Sequence, residues 1–288
     1  MSALCEKCSG IGWVVLKDDK DGLEKAVRCS CRAVSTQNLD QIISSSHIDQ
    51  AYAKMSWADY QPENAKQREA LRISQRYVEV FPNLEEVFAS STGILYTGPC
   101  GTGKTHLAVC VLKGILEKGY RGMFADFHEL LRNLKDSYDP SSESSAMEVL
   151  QPILDTDILV LDDLGSHNVT GWLKDTVFDI INYRYRKQKP LIVSTNLPLE
   201  SLSVTSRDFV VGSQEYETRR KVSDQRSLEE RLGPAVLSRL LECCLVVALD
   251  GQDYRRTVRR SGIETLMEIQ GFKVAGSSPA SKSDKPQK

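Results

Sequence analysis

The sequence predicts an α/β fold, a parallel sheet with helices on both faces, and three observations carry that prediction. An apolar run, Ile94-Leu95-Tyr96, leads into Gly98-Pro99-Cys100-Gly101-Thr102-Gly103-Lys104-Thr105, which opens a helical pattern. A second run, Ile158-Leu159-Val160-Leu161, ends in the paired carboxylates Asp162-Asp163. Around them strand-like and helix-like stretches alternate, as they do where helices cover both faces of a parallel sheet.

The glycine-rich segment is a phosphate-binding loop in the required context of strand, loop and helix. Its glycines let successive backbone N–H groups turn inward around phosphates, Lys104 reaches the β/γ oxygens, and the Thr105 hydroxyl suits a magnesium ion. The nucleotide-binding set is therefore Gly98, Pro99, Cys100, Gly101, Thr102, Gly103, Lys104, Thr105 and His106, with ATP and Mg²⁺ as cofactors. The helix that follows starts at the phosphates, where its dipole favours anions. Leu107, Ala108, Val111, Leu112 and Ile115 recur at helical spacing, and Gly119 supplies a stop.

The 288 residues, 41% of them hydrophobic, provide for one large or two modest domains. A net charge of −2 provides no global basic field, so contact with nucleic acid must come from local clusters. No signal-peptide pattern is present and no apolar run approaches the roughly 18 residues needed to span a bilayer, so a cytoplasmic protein without membrane contact is expected. In that reducing compartment clustered cysteines point to metal rather than disulfides.

Four cysteines, Cys5, Cys8, Cys29 and Cys31, fall at the start of the chain. Trp13–Leu16 and Lys25–Arg28 read as strands joined by the turn-rich stretch 17–22, a hairpin between two cysteine knuckles. This is the pattern of a zinc ribbon. Four thiolates leave no open coordination position, so the Zn²⁺ would be structural and would contribute most of the module's folding free energy. Residues 1–32 are assigned to this module, 33–62 to a helical connector, 63–273 to the nucleotide-binding domain and 274–288 to a disordered Ser/Lys/Pro/Gln tail.

Within the main domain Ala70, Leu71, Ser74, Tyr77, Val78 and Phe81 form a helical pattern that ends at Pro82. Met123-Phe124-Ala125 is the next strand, and Asp126-x-x-Glu129 has the form of a capping box for the helix of Leu130, Leu131 and Leu134. Residues 141–145 read as a polar loop, 157–163 as a strand, 172–187 as a helix and 190–195 as a strand. The stretch 203–227 is polar without clear period. Residues 228–241 look helical around Gly233-Pro234, and 245–249 are a last strand.

The carboxylates after the second strand sit at the edge where open α/β sheets bind ligands. Asp162 would hold the magnesium, and Asp163 would orient or deprotonate the attacking water. Asn196, at the end of Leu191–Thr195, reads either as a group for the γ-phosphate or water, or as an ordinary turn residue before Pro198. Arg239 reads as a helix-surface arginine or as a finger toward a neighbour's γ-phosphate, and Arg255 as a surface cation or a phosphate contact within its own subunit.

Several motifs together resemble the DnaC/DnaI-type helicase loaders and their relatives, the IstB transposition ATPases, within the AAA+ class. They are Cys5-x-x-Cys8-x-Gly10-x-Gly12-Trp13 with Arg28-Cys29-x-Cys31, the phosphate loop continuing into Thr105-His106-Leu107-Ala108, and Leu159-x-Leu161-Asp162-Asp163-Leu164-Gly165. Ile181-Asn182-Tyr183-Arg184-Tyr185, Lys189 to Leu197, Glu230-Arg231-Leu232-Gly233, Ser238-Arg239-Leu240 and Asp253-Tyr254-Arg255 complete the set. The resemblance implies an AAA+ ATPase domain in which Asn196 is sensor 1, Arg239 an arginine finger acting between subunits, and Arg255 the sensor-2 arginine. Lys104, Asp162, Asp163, Asn196, Arg239 and Arg255 would then be the catalytic set.

It also implies a loader that binds a DnaB-like replicative helicase and places it on single-stranded DNA, as a homo-oligomer assembled through the ATP site. The alternatives are an IstB-like transposition ATPase acting on target DNA, and a non-hydrolysing adaptor in which nucleotide and zinc are structural. Asp163 stands where many AAA+ proteins carry Glu, and its shorter arm implies slow hydrolysis. Two basic clusters interleaved with tyrosines are candidates for the DNA face: Arg184, Arg186, Lys187 and Lys189, and Arg255, Arg256, Arg259 and Arg260. Helix-end and solvated-surface roles compete for the same cations. The metal assignment predicts one zinc per purified chain, released by Cys29→Ser with ATP affinity unchanged; metal analysis without zinc, after a preparation free of chelator, removes the ribbon.

Overall fold

The computed structural model describes residues 13–17, 24–28, 43, 45–88, 91–138, 145–167, 169, 171–200 and 226–256. The expected hairpin is present: β1 (Trp13–Lys17) runs antiparallel to β2 (Glu24–Arg28), with Trp13 opposite Arg28 and Lys17 opposite Glu24. Cys5, Cys8, Cys29 and Cys31, most of the stretch 203–227, Arg259, Arg260 and the tail lie outside the described residues.

The main sheet is parallel throughout. Its strands are β3 (Gly93–Thr97), β4 (Gly122–Asp126), β5 (Ile158–Asp162), β6 (Leu191–Thr195) and β7 (Cys244–Ala248), in the order β4-β5-β6-β3-β7. Strand side chains alternate between two cores. Leu95, Leu159, Leu161, Leu191 and Val193 face one core, and Ile94, Tyr96, Ile158, Val160 and Ile192 the other. Burial on both sides explains why these strands read as continuous apolar runs rather than alternating ones.

The helices are α1 (Gln50–Ala53), α2 (Ala65–Val80), α3 (Glu85–Phe88), α4 (Lys104–Glu117), α5 (Phe127–Asp136), α6 (Ala146–Asp155), α7 (Trp172–Arg186), α8 (Leu228–Leu232) and α9 (Pro234–Cys243). The phosphate-loop helix α4 is the most deeply placed, with Leu107, Ala108, Val109, Val111, Leu112 and Ile115 wholly inaccessible to solvent. At about 1.5–3 kcal/mol for each large aliphatic side chain, this burial anchors the loop that α4 extends from. Glycine ends two elements as their sequence suggests. Gly119 is left-handed (φ 80°) just after α4, and Gly233 (φ 97°) divides the 228–241 segment into α8 and α9, with Pro234 opening the second.

Helix α6 differs from expectation, since the sequence pattern shows only a polar loop before β5. Ser145 and Glu148 form a reciprocal capping box that starts it, directly after the serine-rich stretch. At the start of α5 Asp126 accepts from the Glu129 N–H at 2.9 Å, but the Glu129 carboxylate lies 3.6 Å from Arg132, so only half of the expected capping box forms.

The first basic cluster also needs correction. Arg184 is wholly buried, and its guanidinium donates to the carbonyls of Ile153 (3.0 Å), Thr156 (3.2 Å), Asp157 (3.2 Å) and Pro190 (2.6 Å). Lys189 donates to the carbonyls of Leu154 and Asp155 at 2.7 and 3.0 Å. The last turn of a helix leaves carbonyls without intrahelical donors, and these two cations supply them at the end of α6. Arg184 is therefore no contact for nucleic acid, and of the four cations only Arg186 and Lys187 are exposed. Burial pushes the Arg184 pKa down to about 10, against the opposing pull of nearby groups such as Asp157. Arg184→Met should destabilise the chain by roughly 3 kcal/mol, because four carbonyls at the base of β5 and β6 lose their donor; a shift in denaturant midpoint no larger than that of an exposed-site control overturns this assignment.

Candidate nucleotide site

The phosphate-binding loop is shaped by contacts that leave no room for side chains. Gly98, Gly101 and Gly103 have φ of 140°, 75° and 94°, a region that favours glycine. A Cβ on Gly98 would strike the Leu249 carbonyl, one on Gly101 would strike Asp253, and one on Gly103 would sit 2.5 Å from the Tyr60 ring. Lys104 is only 5% exposed and donates to the Gly98 and Pro99 carbonyls at 2.8 and 2.7 Å. Burial lowers its pKa. None of the ion pairs among the described residues involves it. A buried ammonium without a counter-ion, beside the N-terminus of a fourteen-residue helix, fits the phosphates of a nucleotide.

Asp162, at the end of β5, is 4% exposed. It accepts from the Thr105 hydroxyl at 3.0 and 2.9 Å and from the Ser194 hydroxyl at 2.5 Å. Burial raises its pKa, while these two donors act in the opposite direction. A carboxylate and a hydroxyl in contact at the foot of the loop are the oxygen donors expected for magnesium, with water and phosphate completing its shell. The structure thus brings Thr105 and Asp162 together at the foot of the loop.

Asp163 leaves the strand in the left-handed region (φ 55°), which Asp tolerates better than most residues. Its N–H donates to Ser194 Oγ at 2.9 Å, and Asn196 Nδ2 donates to its carboxylate. The strand order explains this meeting. β6 lies between β3 and β5, so the residues leaving β6 are neighbours of both the phosphate loop and the carboxylate pair.

A cavity of about 480 Å³ opens over these groups. It is lined by Cys100 to His106, Asp126, Asp162, Asp163, Ser194 and Asn196, by Gln252, Tyr254 and Arg255, and by Tyr52, Met55, Asp59, Tyr60 and Gln61. Arg255 is brought there because the Tyr254 N–H donates to the Gly101 carbonyl at 3.2 Å and Leu249 N–H to Thr97 at 2.7 Å. Arg239 is not among the lining residues. It lies on α9, packed against α7.

The fourth wall is not apparent from the sequence. Residues 45–61, assigned on pattern alone to a connector, pack onto the sheet and α4. The Phe124 N–H donates to the Ser46 carbonyl, Lys113 donates to the carbonyls of Ala53 and Met55, and the His106 ring bonds the Ser56 carbonyl at 2.7 Å. Tyr60 packs against His106 at 5.4 Å, and burial pushes its hydroxyl pKa up to about 12. The signal for this wall is Ile48, Tyr52, Met55, Trp57 and Tyr60, more apolar and aromatic residues than a linker carries.

Comparison with known proteins agrees with this geometry. The family model of IstB-like ATP binding proteins matches residues 49–214, and so begins within the segment that forms the fourth wall. The phage-like element PBSX protein XkdC of Bacillus subtilis is 25% identical over 222 residues, 74% of this chain and 78% of that protein. A protein of Buchnera aphidicola named replicative helicase loader DnaC is 25% identical over 174 residues, 59% of this chain and 68% of its own length. The crystal structure of the DnaC helicase loader superposes with a TM-score of 0.53 at 32% identity, covering 70% of this chain and 99% of that one. No helix among the described residues is long and apolar enough to cross a membrane.

Lys104→Ala should weaken ATP binding by roughly 100-fold, the loss of one strong charge-assisted contact. Calorimetry that finds unchanged affinity overturns the phosphate-loop assignment.

Proposed function

This chain belongs to the IstB-like ATP-binding protein family, and we propose that it is an ATP-dependent helicase loader, a switch that holds a DnaB-like replicative helicase and passes it to single-stranded DNA. One observation carries the nucleotide half of the reading: Lys104, Thr105, Asp162, Asp163, Ser194 and Asn196 converge on one cavity at the carboxyl edge of a parallel sheet. The loader half is supported by the relatives named DnaC, one of them a solved structure at 32% identity.

In this reading the loop amides and Lys104 hold the phosphates of ATP, and Thr105 and Asp162 hold the magnesium, whose charge stabilises the electrons that collect on the phosphate oxygens. Asp163 positions the attacking water and accepts its proton. Asn196, bonded to Asp163, fixes that carboxylate and senses the terminal phosphate. Arg255 contacts the phosphates from within the same chain, while Arg239, away from its own cavity, serves the site of a neighbouring copy. An aspartate tied to Asn196 is a restrained base on a short arm, so turnover is slow and the bound nucleotide acts chiefly as a state marker. The protein works in the cytoplasm.

Residues 1–32 are assigned to partner binding through a zinc ribbon, supported by the cysteine spacing and the β1–β2 hairpin. Because residues 45–61 wall the nucleotide cavity, the segment that follows this module is the route by which nucleotide state reaches the helicase. An IstB-like role in transposition shares the same nucleotide chemistry and is favoured by the family match alone.

A chain lacking residues 1–44 should bind ATP with unchanged affinity yet fail to retain the replicative helicase in a pull-down. The full chain should retain it and raise helicase transfer onto single-stranded DNA only with ATP. A full chain that binds no helicase but follows a transposase to DNA overturns the loader reading.

A further inference from the structure

Arg239 is held in an unusual way for a cation outside its own cavity. Its Nε donates to Asn182 Oδ1 at 2.8 Å and Nη1 to the Ala235 carbonyl at 3.2 Å. The guanidinium carbon lies 4.9 Å from the centre of the Phe178 ring and 5.8 Å from that of Tyr185. Tyr185 is fixed in turn, its hydroxyl donating to Glu242 at 2.7 Å. The partners are thus an amide oxygen, a backbone carbonyl and two aromatic faces, all of them neutral.

None of the ion pairs among the described residues involves Arg239, and its Nη2 makes no hydrogen bond to them. A free arginine has many rotamers, and that freedom must be lost each time it engages a phosphate. This cradle removes that freedom beforehand. A carboxylate at position 182 would orient the cation too, but would cancel its charge; an amide orients without neutralising.

We propose that Asn182, with the rings of Phe178 and Tyr185, is the positioning group for Arg239, holding the guanidinium rigid and uncompensated for the terminal phosphate bound by a neighbouring copy. The proposal rests on the reading of Arg239 as acting between subunits. Asn182 does not line the nucleotide cavity and acts only through Arg239.

The test uses full-length chains mixed in pairs. Acceptor subunits carry Arg239→Ala and keep an intact cavity; donor subunits carry Lys104→Ala and keep an intact Arg239. Neither should turn over ATP alone, and their mixture should. Donors that also carry Asn182→Ala should lower kcat of the mixture roughly tenfold or more with KM for ATP unchanged, the effect of a misplaced catalytic cation. Donors with Asn182→Asp, nearly isosteric, should lose at least as much, because the new carboxylate competes with phosphate for Arg239. A merely structural asparagine would tolerate Asp better than Ala. Asn182→Ala placed in the acceptor instead should leave the mixture unaffected.

Full turnover with Asn182→Ala or Asn182→Asp donors overturns the positioning role while leaving the shared site standing, and so does an equal loss with the acceptor variant. If unmodified donors fail to restore turnover although mixed oligomers form, the shared site itself falls and this proposal with it.

Discussion

The buried carboxylate of Asp162 is the point on which the site depends. It is the last residue of β5, and two hydroxyls from different elements donate to it, Thr105 from α4 and Ser194 from β6. A carboxylate removed from water is stable only with such donors, so the first turn of α4 and the end of β6 are drawn to the same place. Ser194 then passes the constraint on by accepting the Asp163 N–H, and the turn after β5 is closed by Leu164 N–H bonding the Ser194 carbonyl. The loop, the paired acids and Asn196 are therefore one hydrogen-bonded unit, and its geometry follows from placing β6 between β3 and β5.

The sheet and the nucleotide machinery were legible because their signals are local. Glycines at fixed offsets, two buried runs ending in polar groups and a helix apolar on most of its surface are each compatible with few folds besides this one. Three features were not legible for a common reason: they depend on what distant segments need. Arg184 looks like any cation near a helix end until α6 presents its last carbonyls to it. Helix α6 itself was hidden behind a serine-rich approach and an internal Pro152, though Ser145-x-x-Glu148 marks its start. Residues 45–61 carry too little periodicity to declare an element, and their place is set by single contacts with Phe124, His106 and Lys113.

That segment is tied directly to the phosphate loop and its helix. A linker free of the domain would make no contact beside the nucleotide loop. Here the backbone at Ser56 is bonded by His106, two residues beyond Lys104, and Tyr60 lies against Gly103. Any shift of the loop on binding phosphate meets this segment directly, through contacts rather than through a long relay.

The sheet order also has a consequence for how the chain comes to be folded. β3 carries the phosphate loop, yet its two neighbours are β6 and β7, and Ile94 finds its first strand partner at Ile192, 98 residues later. On a ribosome adding about 5–20 residues each second, β3 waits several seconds with both edges unpaired. Through that interval Ile94, Leu95 and Tyr96, a short apolar stretch of high β propensity, are open to mispairing. Helices α2 and α4, which flank β3 in sequence and cover its Ile94 and Tyr96 face in the native core, are the parts already made that can shelter it. The burial of α4 thus serves the nascent chain as well as the finished protein.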